Sequence, residues 1–255
     1  GEKVLCKGLC ERIGMEGSCI THKVGGGKWE VTSPFPTHTE AFEKVVEMMT
    51  TGEGKVIDSV SEITAVGHRF AHGGKIKQSC ILGDEEMNYI ESIIPINPLH
   101  GPPAIAGMKA CLALMPEVPQ VAVFDTSFYS EIEDFRYVYP IPYEFYEKDS
   151  IRRYGFHGAS LEYLSTWTAK EMGRDDLKLV CCHLGGSGSL CAVKNGISID
   201  TTMGMGLQCG VLQNNRIGDM DPYIIFHLVE ECGMELDEVK TMLQTKSGLK
   251  GMSGG

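Results

Sequence analysis

One short segment, residues 151–158, combines residue types that suit the handling of a developing phosphoryl charge. It reads Ile-Arg-Arg-Tyr-Gly-Phe-His-Gly. The guanidinium groups of Arg152 and Arg153 could pair with anionic oxygens, and His157 could donate a hydrogen bond. The two glycines permit a backbone that is too crowded for side chains. The competing interpretation is a solvated basic turn before the next helix, so other segments of the chain must decide between the two.

A glycine- and serine-rich loop lies between two predicted strands at residues 183–189, His-Leu-Gly-Gly-Ser-Gly-Ser. In such a loop, backbone N–H groups and hydroxyls can approach phosphate oxygens closely. The P-loop and the dinucleotide-binding glycine motif both precede a helix, whereas a strand follows here. A phosphate-binding loop between two strands is typical of actin-like kinases, although the motif taken alone favours a plain tight hairpin.

Four basic side chains lie in two earlier segments. Within residues 67–74, Arg69 stands near the end of a predicted strand, where its guanidinium could bind a carboxylate bidentately. His68 and His72 flank it, but they lack the glutamate of an H-E-x-x-H motif and the segment is a strand, which favours structural histidines over metal ligands. His100 precedes a predicted helix, where its imidazole could face an anion or only cap the helix.

A carboxylate and an isolated arginine complete the candidate chemistry. Asp125 follows the predicted buried strand 120–124, and the carboxyl end of such a strand is where α/β sheets bind ligands. Arg216 stands alone between polar neighbours in the segment 214–222. A surface ion pair with Asp219 or Asp221 would also explain this arginine. Such a pair would contribute at most about 1 kcal/mol to the stability of the fold.

Hydrophobic periodicity, capping signals and turn residues predict alternating strands and helices along the chain. The predicted strands cover 4–9, 20–24, 28–32, 63–71, 120–124, 177–183, 189–193 and 197–201, with an Asn195-Gly196 hairpin turn before the last. The predicted helices follow a capping box at Thr37 and Glu40 and cover 84–94, 102–115, 161–172, 223–232 and 236–243. The pattern restarts after the proline- and tyrosine-rich stretch 139–146, which indicates an α/β protein with a second domain.

The composition excludes several functional classes. With 255 residues and 42% hydrophobic content the chain can bury a core. Its net charge of −11 and its scattered arginines disfavour a nucleic-acid partner, which requires clustered positive charge. A membrane helix would need roughly 18 consecutive apolar residues, and the sequence has no such run and no visible signal peptide.

The cysteines and the ends of the chain carry two further expectations. None of the ten cysteines forms a C-x-x-C pair, and Cys6 and Cys10 lack the matching second pair of a metal site, so we expect reduced thiols and a cytoplasmic protein. The chain opens at Gly1 without a methionine and stops at Gly-Met-Ser-Gly-Gly. It is therefore expected to be a fragment of a longer protein.

Taken together and in order, these segments resemble the acetate kinase family, whose members pass phosphate between ATP and a short carboxylic acid. The resemblance rests on six blocks, at residues 68–74, 98–100, 123–126, 153–158, 183–185 and 216–222. It implies an α/β fold of two ribonuclease-H-like domains of the actin, sugar-kinase and Hsp70 superfamily, with the second domain truncated. The first domain would span residues 1–128 and the second residues 129–255, with the site in the cleft between them.

The resemblance also implies roles for particular residues. The implied catalytic residues are Asp125 beside the magnesium, His157 and Arg216 at the transferring phosphoryl, Arg69 at the substrate carboxylate, and His100 in support. Arg69 would bind the acid together with a pocket for its acyl chain formed by Ala71, Leu99, Phe156 and Leu207. The ATP phosphate loop would be His183, Leu184, Gly185, Gly186 and Ser187. The implied substrates and cofactors are acetate, ATP or ADP and Mg²⁺, and the implied assembly is a homodimer.

The sequence departs from the family pattern at several places. The loop reads Gly-Gly-Ser-Gly instead of the commoner Gly-Asn-Gly, and Gln213-Asn214-Asn215 replaces the usual Met-Gly-Thr before the arginine. Ala71 stands where valine is usual and Leu207 where proline is usual, so the acyl pocket could differ in width and admit propionate. Three alternatives stay open: another short-chain acyl kinase, a non-catalytic nucleotide-binding relative, and a metal hydrolase that uses the eight histidines.

Overall fold

A computed structural model of the chain describes residues 3–98 and 100–254 and divides into two compact units. The first unit comprises Gly1–Arg69, Cys80–Ile94 and Pro98–Ala122. The second comprises Phe70–Ser79, Pro95–Asn97 and Val123–Gly255. The second unit thus includes three short segments, 70–79, 95–97 and 123–128, that the sequence places in the first domain. The prediction of two domains with a boundary after residue 128 stays a prediction.

The first unit opens with an antiparallel sheet and a helix packed on it. The sheet has the order β1-β2-β3, with β1 at Lys7–Glu11, β2 at Cys19–Val24 and β3 at Gly27–Thr32. Helix α1, His38–Thr50, begins with the capping box that the sequence predicts at Thr37 and Glu40. Their shared core consists of Ile20, Phe35 and Ala41.

A second sheet of three strands follows in the order β4-β6-β5. Strand β4 is Val66–Phe70, β5 is Cys80–Ile81 and β6 is Gln120–Phe124. Helix α2, Asp84–Ser92, packs against α3, Gly101–Leu114, and α3 also packs against α1. The bounds of β6 agree with the prediction, and its residues alternate between buried and half-buried.

The second unit contains six helices and a third antiparallel sheet among its described residues. Its helices are α4 at Asp134–Tyr137, α5 at Glu144–Asp149, α6 at Gly158–Met172, α7 at Tyr223–Glu230, α8 at Leu236–Thr245 and α9 at Gly248–Ser253. Its sheet has the order β7-β8-β9, formed by Lys178–Leu184, Gly188–Lys194 and Ile197–Thr201. Helix α6 packs against β7, and Leu161, Cys181 and Cys191 lie in the core between them.

The connections between these strands explain two sequence motifs. Strands β7 and β8 pair from Lys178 with Lys194 to Leu184 with Gly188, so only residues 185–187 form the turn between them. Asn195 and Gly196 have φ angles of +55° and +79°, as a type I′ turn requires at both central positions. The predicted Asn-Gly hairpin is therefore confirmed, and the glycine-serine motif is a loop at the tip of the other hairpin.

Four short elements lack a sequence signal long enough to predict them. These are β5 and the helices α4, α5 and α9, none of which exceeds six residues. Helical periodicity needs about 11 residues to become visible, and α5 also lies in a stretch that proline and tyrosine dominate. The first strand begins three residues later than predicted, at Lys7. Across the described ranges, no helix has the length and apolar character that crossing a membrane requires.

The Gly196→Ala substitution tests the turn between β8 and β9. Because no atom lies within 4 Å of a Cβ at Gly196, its φ of +79° is the only obstacle to alanine. We expect the free energy of unfolding to fall by about 1–2 kcal/mol, the cost of a left-handed L-residue. Gly26→Ala is the matched control, because its surroundings are equally open and its φ is not positive. Equal denaturation midpoints for the two variants would contradict the assignment of this turn.

Candidate active site

Asp125 lies directly after β6 and is held there by its backbone on both sides. Its N–H donates to the Phe70 carbonyl at 3.0 Å, and its carbonyl accepts from the Gly158 N–H at 3.0 Å. A Cβ on Gly158 would overlap that carbonyl oxygen, so only glycine permits this approach. The first residue of α6 is therefore held against the residue that follows β6. The Asp125 side chain is buried, at the end of a strand where the sequence predicts it.

His157 occupies the N-cap position of α6 in the left-handed conformation, with a φ of +61°. A non-glycine residue adopts this region rarely and at a cost, and such residues cluster at functional sites. Its ring stacks on the ring of His183 with centroids 4.1 Å apart, and its Nδ1 lies 2.9 Å from the Ser189 Oγ. When that hydroxyl donates to Nδ1, the ring proton resides on Nε2. His157 is then a buried hydrogen-bond donor near the N-terminus of a long helix, which favours anions.

The loop between β7 and β8 is joined to the segment that carries Arg216. The Asn214 N–H donates to the Gly186 carbonyl at 3.1 Å, which connects the two backbones. The Ser187 hydroxyl donates to Gln213 Oε1 at 2.9 Å and accepts from Arg216 Nη1 at 3.0 Å. The candidate phosphate loop and the isolated arginine, which lie about 30 positions apart in the sequence, are thus one cluster in the second unit.

Arg216 lacks an acidic partner within the described part of the chain. It is half-buried, and burial lowers the pKa of its guanidinium. The predicted alternative, a surface ion pair, is not observed: the Asp219 Oδ1 accepts from the Gly210 N–H, and the Asp221 Oδ1 accepts from the Tyr223 N–H. A cation that is removed from water without an opposite charge is costly. An anionic ligand would supply the missing charge.

The two arginines next to His157 have structural partners, which changes the hypothesis that opened the sequence analysis. The Arg153 Nη1 donates to the Thr201 carbonyl at 2.5 Å. The Arg152 guanidinium lies 3.6 Å from the centre of the Tyr137 ring, and its Nε donates to the Arg153 carbonyl. Both side chains therefore stabilise the packing of their own segment, and His157 is the residue of that segment that joins the site cluster.

The second unit also contains three of the residues predicted to contact the acyl chain. Phe156 is buried and its ring lies 5.7 Å from the ring of His72, the neighbour of Ala71. Leu207 is half-buried, and its carbonyl accepts from the Gln213 amide at 3.0 Å. The pocket role of these residues stays a prediction. Leu99 lies outside the described residues.

Arg69 and His100 belong to the first unit. Arg69 is exposed on β4, and His100 is the half-buried N-cap residue of α3, with a side chain that makes no capping hydrogen bond to the described part of the chain. Their predicted roles toward the substrate carboxylate and the transition state stay predictions.

The two histidines near Arg69 each have a hydrogen-bond partner within the protein, and their structural role stays a prediction. The His68 Nε2 lies 2.7 Å from Gln120 Oε1, and the His72 Nδ1 accepts from the Gly74 N–H at 3.0 Å. No three acidic, histidine or cysteine side chains of residues 3–98 and 100–254 come together as a metal site. Magnesium does not need such a group, because it binds through one or two carboxylates, water and substrate phosphates. Asp125 fits the part of a single carboxylate.

Comparison with known proteins shows the family to which the chain belongs. A family model described as the acetokinase family matches residues 1–255. The chain belongs to the acetokinase family. The acetate kinases of Clostridium botulinum and Clostridium kluyveri are each 47% identical to it over 256 residues, which cover 99% of this chain. The chain spans 64% and 63% of the length of these relatives.

Solved structures of acetokinases show the same fold. The crystal structure of Porphyromonas gingivalis acetate kinase superposes with a TM-score of 0.93 at 35% identity and covers 99% of this chain, which spans 64% of that protein. A propionate kinase from Francisella tularensis gives a TM-score of 0.91 at 33% identity, with coverage of 98% and 64%. The predicted family and the predicted α/β fold class of the actin and sugar-kinase superfamily are therefore confirmed.

Two residues of the cluster have no role in the sequence prediction. Ser189 contacts His157, whereas the sequence places it only at the end of the glycine-serine segment 183–189 and in the following strand. Gln213 stands out in the sequence only as a departure from the family pattern. Both are polar side chains that are at most 1% exposed. Alternation along β8 could have indicated Ser189, because the residue lies on the buried face of a strand where a serine needs a partner. No comparable signal exists for Gln213, which lies in a loop.

His72 predicts a pH dependence of stability. Burial, and next the positive charge of Arg152, lower the pKa of His72 from 6.5 to about 4. The unfolded chain therefore binds a proton first, and stability falls as the pH drops from about 6.5 to about 4. The loss from this group is on the order of 3 kcal/mol.

We expect His72→Gln to flatten this dependence in urea unfolding measured between pH 7 and pH 4. His227→Gln is the matched control, because His227 is exposed on α7. Parallel curves of unfolding free energy for wild type and His72→Gln would contradict the assignment of a buried neutral imidazole.

Proposed function

We propose that this chain is part of an enzyme that transfers a phosphoryl group reversibly between ATP and acetate, giving ADP and acetyl phosphate. One observation carries the proposal above all: Arg216 is a half-buried cation that donates to a neutral hydroxyl of the glycine-serine loop, in a chain of the acetokinase family. Such a cation suits the negative charge of a nucleotide phosphate.

The residues of the cluster fit the demands of this reaction. A carboxylate is already a competent nucleophile, so a direct in-line transfer forms the bond from the acetate oxygen to the γ-phosphorus while the bond to the ADP oxygen breaks. Such a transfer needs positioning and charge neutralisation more than a covalent intermediate. In the proposed mechanism, Arg216 and His157 donate to the oxygens of the transferring phosphoryl group. Neither a cysteine nor a serine nucleophile is required.

The remaining predicted residues are assigned to the two substrates. The loop from His183 to Ser187 would contact the ATP phosphates through backbone N–H groups. Gly186 is exposed and could offer its N–H, whereas the Gly185 N–H donates within the loop to the Ser187 carbonyl at 3.1 Å. Arg69 would bind the carboxylate of acetate, with His100 in support. Ala71, Leu99, Phe156 and Leu207 would surround the methyl group.

Magnesium is proposed as the metal that accompanies ATP. When bound, it neutralises phosphate charge and holds the phosphates in one geometry. Asp125 is the residue proposed to face it, directly or through water, because its buried carboxylate follows the end of β6. The homodimer and the cytoplasmic location also stay proposals.

Propionate is the second candidate acid. The similarity to a propionate kinase and the small Ala71 at a pocket position both favour it. An extra methylene changes discrimination by only about 1–3 kcal/mol, so a pocket of this kind can accept both acids. Assays with acetate, propionate and butyrate rank the three directly.

The Arg216→Ala substitution tests the proposed phosphoryl contact. In the intact protein with ATP, magnesium and acetate, hydroxylamine trapping measures the acyl phosphate that forms. We expect kcat to fall by about 10²–10³, which is typical when a transition-state donor is lost. Arg174→Ala is the matched control, because that arginine is exposed and paired with Asp176, and its activity should equal that of the wild type.

Two outcomes would overturn parts of this proposal. If the wild type produces no acyl phosphate with any of the three acids while it still binds nucleotide, the chain belongs to a non-catalytic relative. If Arg216→Ala retains full activity, the proposed reaction is retained, but the proposed contact between Arg216 and the phosphoryl group is wrong.

A further inference from the structure

The Ser187 hydroxyl is shared between two side chains of one segment. It has a single proton, which it donates to Gln213 Oε1 at 2.9 Å. Its oxygen accepts from Arg216 Nη1 at 3.0 Å. Because the proton is committed to the glutamine, a lone pair of the hydroxyl faces the guanidinium. By accepting this proton, Gln213 leaves the Ser187 oxygen as the acceptor for Arg216. The glutamine itself does not contact the arginine.

Gln213 is in turn fixed by the backbone around it. Its side chain is 1% exposed, and its Nε2 donates to the Leu207 carbonyl at 3.0 Å and more weakly to the Gln208 carbonyl at 3.4 Å. Rotating the amide by half a turn would place Oε1 against these carbonyls and lose both of these hydrogen bonds. The amide orientation is therefore set by the loop that carries Leu207, a predicted acyl-pocket residue.

We propose that Gln213 and Ser187 form a positioning pair that sets the direction of the Arg216 guanidinium for phosphoryl transfer. The proposal rests on the proposed function of this site. It assigns no contact with substrate to Gln213, which acts through Ser187 alone. The loop and the acyl pocket are thereby connected to the phosphoryl contact by three consecutive hydrogen bonds.

A neutral hydroxyl is better suited to orienting the Arg216 guanidinium than a carboxylate would be. An aspartate or glutamate would also orient Arg216, but it would cancel the charge that the transferring phosphoryl group needs. A hydroxyl oxygen occupies only one of the five N–H donors of the guanidinium. Within residues 3–98 and 100–254 no other group accepts from the guanidinium, so four donors stay available there and the cation keeps its full charge.

Ser187 and Gln213 are two of the positions in these segments where the sequence departs from the family pattern; Gly186, Asn214 and Asn215 are others. A glycine at 187 and a methionine at 213 could form neither hydrogen bond. The Ser187 hydroxyl and the Gln213 amide are hydrogen-bond partners, so a change at either position should remove the contact between them.

The surrounding backbone does not depend on the pair, which makes the test feasible. The Asn214 N–H still donates to Gly186, and the Leu249 and Lys250 N–H groups donate to the carbonyls of Gln213 and Asn214. Removing the side-chain contacts therefore leaves the loop and the Arg216 segment joined.

The experiment compares Ser187→Ala, Gln213→Met, their double variant and Ser187→Thr in the intact protein. Ser165→Ala is the matched control, because this buried hydroxyl of α6 donates only within its helix, to the Glu162 carbonyl. Acyl phosphate formation gives kcat and KM for ATP and acetate. We expect kcat to fall about tenfold in each single variant with KM changed less than about threefold, because a misdirected donor is lost at the transition state.

Two patterns distinguish positioning from a merely structural role. The double variant should be no slower than the slower single variant, because both substitutions break one pathway, and Ser187→Thr should recover wild-type kcat because it keeps a hydroxyl. Multiplied losses in the double variant, or a threonine variant as slow as the alanine variant at wild-type melting temperature, would overturn the proposal.

A binding measurement tests the positioning pair separately from the proposed reaction. If the wild type phosphorylates no acid, the proposed function fails, and calorimetric titration with inorganic phosphate then reports on the pair. Weaker phosphate binding in Ser187→Ala that Ser187→Thr restores would support positioning. Equal affinities in all variants would overturn it.

Discussion

The site depends on a guanidinium that the fold removes partly from water without an opposite charge from the described part of the chain. Burial lowers the pKa of Arg216, which shows that its surroundings disfavour the charged form. A surface arginine would avoid that cost by contacting water, and a buried arginine normally has a carboxylate partner. Arg216 instead receives a hydroxyl. The free energy that this arrangement costs can be recovered when an anion binds.

Two backbone constraints position the Asp125 carboxylate and the His157 imidazole in the same unit as Arg216. Gly158 lies so close to the Asp125 carbonyl that no side chain fits, and this contact joins α6 to the end of β6. The preceding residue, His157, adopts a left-handed conformation and stacks on His183 from β7. A helix start, a strand end and a hairpin loop thus bring together a carboxylate, two imidazoles and the arginine's serine partner. Tolerance of a strained histidine at this point is typical of a site whose function outweighs local stability.

The sequence predicts more of the fold than of the contacts within the site. Helix α1, strands β6 and β9 and the Asn195-Gly196 turn follow from local signals, because capping boxes, alternation and turn residues act over a few positions. The short helices α4, α5 and α9 carry too few turns for a periodic pattern. Their formation depends on tertiary surroundings that a sequence window does not contain.

The same limit applies to the site. Residue type and spacing indicate Asp125, His157 and Arg216, because isolated charged groups beside glycines suggest chemistry. They do not indicate that Ser187 joins Gln213 to Arg216, since that contact spans 26 and 29 positions and involves a residue that stands out only as a departure. Residue type and spacing also predict that Arg152 and Arg153 bind an anion, whereas their partners in the structure are a tyrosine ring and a backbone carbonyl. Hydrogen-bond partners across the fold decide which charged residues remain available to a ligand.

A crystal structure of the intact protein with a non-hydrolysable ATP analogue, magnesium and acetate would show directly whether Arg216 contacts the terminal phosphate. We expect an oxygen of this phosphate to lie within hydrogen-bond distance of the Arg216 guanidinium, with Ser187 still contacting both Arg216 and Gln213. A terminal phosphate bound elsewhere, with Arg216 contacting only protein or solvent, would contradict this expectation.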